Sequence, residues 1–332
     1  MIQRREFLKA AGVSAAAVGR PEVLNAAPGS PAASVPSDTK FPKLAIKTRY
    51  SRERLAFAAS AGYEGVIVDV NEFFDPDKLR DGDIDQVLAT AREAGVRIIS
   101  IESMVNHLAA DPAERRQIRE RFIRCLELAH RLGCKFVGTF SGGMKGASVD
   151  EQAKALAEAL NEQYLPVCDK LEVAMGPENY PCDINFATVP AAWEKVFALV
   201  PNHHFGLEFD PSHLVRQYID PIQTAWDFRD RILAVHAKDT EIIEPVLAKV
   251  GIHGNGWWRY RIPGQGLINW PQFITVLLQA GFRGGVAVEH EDGFWDAPHG
   301  DSGADMAQER KDGFILAARF LRQFLPARLN AA

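Results

Sequence analysis

From Lys43 onward the apolar positions alternate between two rhythms. Short runs rich in branched residues, Lys43–Thr48, Gly65–Val70, Arg97–Met104 and Lys135–Phe140, read as strands one to four. Each is followed by a stretch with apolar residues at helical spacing: Arg52–Ala61, Asp83–Ala94, Pro112–Leu132 and Val149–Leu171. Gly62, Gly95 and Gly133 stop the first three of these helices. The second half keeps the rhythm. Glu172–Met175 leads into Glu178 as strand five, and Phe205–Phe209, Ile232–Val235 and Gly285–Val288 are strands six to eight. The helices between and after them are Val189–Val200, Pro221–Arg231, Trp270–Ala280 and Ala304–Leu325. One segment, Thr240 to Gly266, has no period and reads as a long loop after strand seven.

Strands alternating with helices predict a parallel sheet. A doubly wound open sheet would alternate in the same way. The count of eight favours a closed (β/α)₈ TIM barrel of the α/β class, as does the lack of a GxGxxG turn after an early strand. The strands are continuous apolar runs, as expected when both faces are covered. The expected organisation is a single barrel domain over residues 40–328.

Residues 1–39 do not fit this pattern. Arg4-Arg5 followed by Glu6, Phe7, Leu8 and Lys9, an alanine-rich run from Ala10 to Val18 and a small-residue site at Leu24-Asn25-Ala26 read as a twin-arginine export signal over residues 1–27. That predicts the twin-arginine machinery as a partner and a periplasmic or otherwise exported protein. Residues 28–39, built from Ala, Pro, Ser and Gly, read as a linker. No run of 18 apolar residues is present, so no stable membrane insertion is expected. The net charge of −5 argues against a nucleic-acid partner. Cys125, Cys134, Cys168 and Cys182 form no CxxC pair, which argues against a thiolate zinc site; buried free thiols are expected.

Barrel enzymes carry their reactive groups where strands end and loops begin. Strand five ends in GPENY with Glu178, strand six in GLEFDPSH with Asp210 and His213, strand seven in VHAKD with His236 and Asp239, and strand eight in VEHED with Glu289. Three carboxylates with one imidazole make an oxygen-rich donor set that suits one divalent ion, Mn²⁺ or Mg²⁺ first, with Co²⁺ and Zn²⁺ also compatible. Glu208, alternating with Asp210, is placed one layer deeper on the same face. Lys238 and Asp239 are open to two readings, substrate contact or a pair with each other. Glu291 and Asp292 read as solvated loop charges. His107, after strand three, is a candidate to face the substrate. In the long seventh loop, aromatic residues beside arginines suit sugar binding, which singles out Trp258 and Arg261.

The fragments GLEFDPSH (206–213), VHAKD (235–239), WRYRIPG (258–264) and VEHED (288–292) resemble the sugar phosphate isomerase/epimerase family of the xylose-isomerase-like TIM barrel superfamily. The resemblance covers nearly all of residues 40–328. It implies that Glu178, Asp210, His236 and Glu289 hold the metal, that Glu178 and Glu289 are the proton-transfer pair, and that His213 contacts a substrate oxygen. The sequence departs from the ketose epimerases at a further glutamate and arginine, where Ile184 and Ile242 stand.

The expected function is a divalent-metal-dependent isomerase or epimerase of a carbohydrate or keto-sugar, working by proton abstraction beside a polarised carbonyl. The alternative is a lyase or dehydratase on a keto-glycoside or inositol derivative. A homo-oligomer is compatible with the family.

Overall fold

A computed structural model describes residues 41–296 and 305–326; the segments 1–27 and 28–39, read from sequence as an export signal and a linker, lie outside them. The strands are β1 (Lys43–Thr48), β2 (Gly65–Asp69), β3 (Arg97–Glu102), β4 (Phe136–Thr139), β5 (Ala174–Pro177), β6 (Leu207–Phe209), β7 (Ile232–Ala237), β8 (Asp239–Ile242), β9 (Trp258–Arg261) and β10 (Gly285–Val288). Eight of them form one sheet in the order β5-β4-β3-β2-β1-β10-β7-β6, every pairing parallel. The two ends of the sheet meet through single bridges, Met175 with Phe205 and Glu178 with Glu208, so the barrel is nearly closed. Gly176 lets the seam close, since a Cβ there would lie 1.9 Å from the Gly206 carbonyl oxygen. On the other side of β6, a Cβ on Gly206 would lie 2.3 Å from the Arg231 carbonyl oxygen.

The helices form where their caps and apolar faces say they should. Ser51, Asp111 and Ser148 each accept a backbone N–H of the following first turn, at Arg54, Glu114 and Glu151. Leu126, Leu156, Trp193, Phe273 and Phe314 from successive helices are buried against the strands. Cys125, Cys134 and Cys168 are buried free thiols, and Cys182 is a half-buried one. No helix among the described residues is long and apolar enough to cross a membrane.

Four elements differ from the sequence expectation. The helix expected over 149–171 is split into Val149–Ala159, a π-turn at Leu160–Tyr164 and a helix at Leu165–Leu171. Pro166 has no N–H to donate to the turn before it, and the ladder widens so that the Leu165 N–H reaches the Leu160 carbonyl. A short helix, Pro211–Val215, follows β6 directly; its proline start and Asp210 cap carry too few residues to show a period. The segment after strand seven is not a featureless loop. β8 and β9 pair antiparallel, Thr240 opposite Tyr260 and Ile242 opposite Trp258, around a helix at Glu244–Val250. Strand seven also runs two residues further than expected, which puts His236 inside it.

Candidate metal centre

The four strand-end residues converge. One donor atom from each of Glu178, Asp210, His236 and Glu289 falls within 4.8 Å of all the others. Glu178 follows β5 directly, and its backbone N–H donates to the Thr139 carbonyl at 2.8 Å. Asp210 follows β6 and caps the helix 211–215. Its Oδ1 accepts from the Ser212 N–H at 2.8 Å, which turns Oδ2 into the cluster. Asn179 fixes both loops by bonding the Asp210 N–H and carbonyl, each at 2.8 Å. His236 Nδ1 stands between Glu178 Oε1 at 3.0 Å and Glu289 Oε2 at 3.3 Å.

His213 comes in from the short helix. Its Nε2 lies 3.2 Å from Glu178 Oε1 and 3.3 Å from Asp210 Oδ2, and its Nδ1 lies 2.8 Å from the Tyr260 hydroxyl. Beneath the four, Glu102 and Glu208 face the other ring nitrogen of His236 at 2.9 and 3.3 Å. Glu208 is fully buried, one layer below Asp210, as its alternation predicts. Gly138 makes room for it, since a Cβ there would come within 2.1 Å of Glu208 Oε2.

Two lysines complete the site. Lys47, inside β1, lies 2.5 Å from Glu102 Oε2, 2.9 Å from Glu289 Oε1 and 3.8 Å from Asp69. Lys238, after β7, lies 2.5 Å from Glu289 Oε2, 2.7 Å from Glu291 Oε2 and 3.2 Å from Asp210 Oδ2. Among the described residues, seven carboxyl groups (Asp69, Glu102, Glu178, Glu208, Asp210, Glu289 and Glu291) thus crowd around two ammonium groups and two imidazoles.

The titration behaviour follows from this excess of negative charge. Burial pulls His236 down, but Glu208, Glu289, Glu102 and Glu178 outweigh it and raise its pKa well above the usual imidazole value. Burial, reinforced by Glu102, pushes Glu208 up to about 8. Burial also works to raise Glu289, yet Lys238, Lys47 and His236 hold its carboxyl well below the usual range.

These residues fit a divalent ion. The donor set is three carboxylates and an imidazole, and the cluster is rich in uncompensated negative charge. Asp210 Oδ2 is buried and makes no hydrogen bond, although Lys238 and His213 stand beside it. An acceptor aimed into a cluster of other acceptors is stabilised by a cation.

The other sequence candidates end up elsewhere or in different roles. His107 is fully buried, with one ring nitrogen 2.8 Å from the Tyr164 hydroxyl and the other 2.8 Å from Thr139 Oγ1. Burial lowers its pKa to about 3, so it is a neutral core histidine with no accessible surface for a substrate. Arg261 is a loop brace: it donates to Asp292 at 2.8 Å, Glu241 at 2.8 Å and Gln265 at 2.5 Å, which commits all of its guanidinium nitrogens. Asp292, expected in solvent, is buried beneath it. Lys238 and Asp239 do not pair with each other. Asp239 is a buried hub that accepts the N–H groups of Thr240, Gly264 and Ile268 and the Trp270 indole N–H. Trp258 does lie beside the site, 4.9 Å from the Tyr260 ring. Lys47, Asp69 and Glu102 carry the same strand-end signal in the first half of the chain, where the sequence reading did not apply it.

The sequence profile of the xylose isomerase-like TIM barrel family matches residues 55–323. The uncharacterized protein YfiH of Bacillus subtilis (strain 168) is 35% identical over 97 residues, a stretch that covers 26% of this chain and only 31% of that relative's length. Among solved structures, 3-keto-D-glucoside 4-epimerase from E. coli superposes with a TM-score of 0.63 at 15% identity, covering 85% of this chain and 99% of the other. Mannonate dehydratase from Streptococcus suis superposes with a TM-score of 0.65 at 14% identity, covering 85% and 94%. Identities this low speak for the shared fold.

Proposed function

The chain belongs to the xylose isomerase-like TIM barrel family, and we propose that it is a divalent-metal-dependent isomerase or epimerase of a carbohydrate or keto-sugar. The observation that carries this reading is the convergence of Glu178, Asp210, His236 and Glu289 at the ends of four barrel strands, with the unbonded Asp210 Oδ2 pointing into their midst. Mn²⁺ or Mg²⁺ suits this donor set best. When bound, such an ion supplies Lewis-acid polarisation of a substrate carbonyl and makes the neighbouring C–H acidic.

The chain's own residues do the rest. Glu178 follows β5 and Glu289 follows β10, with β6 and β7 between them around the sheet, so the two carboxylates would hold the ion from different strands. One carboxylate takes the proton from the carbon beside the carbonyl, and the other returns a proton to the opposite face, which inverts that centre. Return to the adjacent carbon gives aldose–ketose isomerisation. Loss of a β-hydroxyl after the same first step gives the lyase alternative. We assign His213, whose Nδ1 lies 2.8 Å from the Tyr260 hydroxyl, the contact to a substrate oxygen that the family resemblance implies.

The test is NMR of candidate keto-sugars in D₂O with the Mn²⁺-loaded protein. Deuterium entering one carbon beside the carbonyl is the expected result. Turnover without exchange, and without a primary isotope effect at any sugar carbon, would point to hydride shift or hydrolysis. We further propose that the Arg4-Arg5 segment directs export of the folded protein. Replacing both arginines by lysine should then hold the protein in the cytoplasm, and normal processing of that variant would remove the assignment.

A further inference from the structure

The barrel interior is built differently at the end opposite the mouth. Inward positions on β1, β2 and β10 descend from Lys47, Asp69 and Glu289 through Ala45, Ile67 and Ala287 to Lys43, Gly65 and Gly285. Two bulges refill part of the space that the glycines leave. In β3 the partners of β2 jump from Ile98 to Ser100, and in β7 the partners of β6 jump from Ile232 to Ala234. Ile99 and Leu233 are the extra residues, and a bulge re-aims its side chain. A Cβ on Gly65 would lie 2.9 Å from Ile99 Cγ2, one on Gly285 2.3 Å from Ile99 Cδ1, and one on Gly206 2.6 Å from Leu233 Cγ. Barrels of this class fill their interior with layers of bulky branched side chains. Here two bulged side chains and several glycines leave a well of about 200 Å³.

The wall of the well is apolar and its rim is cationic. Ile67, Ile99, Phe136, Leu233 and Ala234 line it. Around them stand Lys43 and Arg97, which open β1 and β3, Lys135, just before β4, and Arg283, two residues before β10. Among the described residues no carboxylate lines it. Glu172 approaches Lys135 only to 3.8 Å, a loose surface pair. In a chain of net charge −5 with its carboxylates crowded at the mouth, this is a local reversal of sign. Cations also suit the helix C-termini that a barrel gathers at this end. That accounts for a positive rim, and it does not account for an apolar well inside the rim. A small polar anion would leave the wall unused, and an uncharged apolar molecule would leave the rim unused. A head of negative charge with an alkyl tail uses both. One water needs roughly 10–15 Å³ of such space, so the well takes a tail of several carbons.

We propose that the end of the barrel opposite the metal centre binds a small amphipathic carboxylate, its head on the rim of Lys43, Arg97, Lys135 and Arg283 and its alkyl tail against Ile99, Leu233 and Phe136. The site is independent of the chemistry at the mouth. The test is calorimetric titration of the full chain, with Mg²⁺ present, using octanoate as the probe and acetate and octylammonium as comparisons. Octanoate binds saturably at one site per chain. Acetate and octylammonium bind about tenfold more weakly or worse, because each buried methylene is worth about fourfold and the ammonium meets a rim of its own sign. Lys135→Gln combined with Arg283→Gln lowers the octanoate affinity by about tenfold or more, since the head loses two of four cations. Both side chains sit at the rim, so the thermal unfolding midpoint of the double variant stays where it was. Methyl NMR places the octanoate tail against the Ile99 and Leu233 methyl groups. No saturable octanoate binding, as when another part of the chain or a second copy covers the well, overturns the proposal. So does octylammonium binding equal to that of octanoate, an unchanged affinity in the double variant, or octanoate contacts confined to the mouth.

Discussion

Strands β5, β6, β7 and β10 bring Glu178, Asp210, His236 and Glu289 to the barrel mouth, whereas β1, β2 and β3 bring Lys47, Asp69 and Glu102. The second group contains a cation, and it offers no atom to the four-donor set. Lys47 touches both groups, since it bonds Glu102 from its own half and Glu289 from the other. The contrast suggests how the barrel tolerates so much buried negative charge. One half supplies the donors, and the other supplies part of the charge balance and a fixed position for one donor. Lys238 does the same from the strand beside Glu289.

The comparison is broken most severely by removing a charge from the donor half. Glu289→Gln keeps the shape of the side chain, Lys238 keeps Glu291 and Asp210, and Lys47 keeps Glu102, so the fold should survive with some metal. Proton exchange into substrate should fall by about 10²–10⁴-fold, the usual worth of a placed acid–base group. Solvent deuterium uptake checks this, and exchange at the normal rate would take Glu289 out of the reaction. Lys47→Met tests the other half. It leaves the fully buried Glu102 carboxylate without its ammonium partner. The metal-free protein should lose about 3–5 kcal/mol in urea unfolding followed by circular dichroism. A change below roughly 1 kcal/mol would mean the two halves are not coupled through this lysine. The smallest effect is steric. Gly138→Ala puts a methyl group against Glu208 and should cost about 1–3 kcal/mol by the same measurement, because Glu208 has nowhere to retreat beneath His236.

The sequence was most legible where two signals coincided. Alternation of apolar runs placed all eight barrel strands, and the strand-end rule then placed the four donors, because parallel strands aim their C-terminal ends at one mouth. It was least legible where a side chain's partner comes from far along the chain. His107 reads as a candidate to face the substrate, but the π-turn delivers Tyr164 to it and the pair closes into the core. Arg261 and Trp258 are three residues apart and look equivalent in sequence. The register of the hairpin sends one to Asp292 and Glu241 and leaves the other beside the site. Lys47 and Glu102 show a different gap: the rule that found Glu178 applies to them too, but one is a cation and the other lies a layer deeper, so neither looks like a ligand in isolation.

The central claim is that one divalent ion is held by four strand ends. The most direct measurement is metal content by mass spectrometry, with Mn²⁺ affinity by calorimetry, for the unaltered protein and for His236→Ala. His236 is the only nitrogen in the four-donor set and touches two of its carboxylates. The account predicts one ion per chain in the unaltered protein and an affinity lower by more than about 100-fold in the variant. Full metal content with unchanged affinity in His236→Ala, or no bound ion in the unaltered protein, would contradict it.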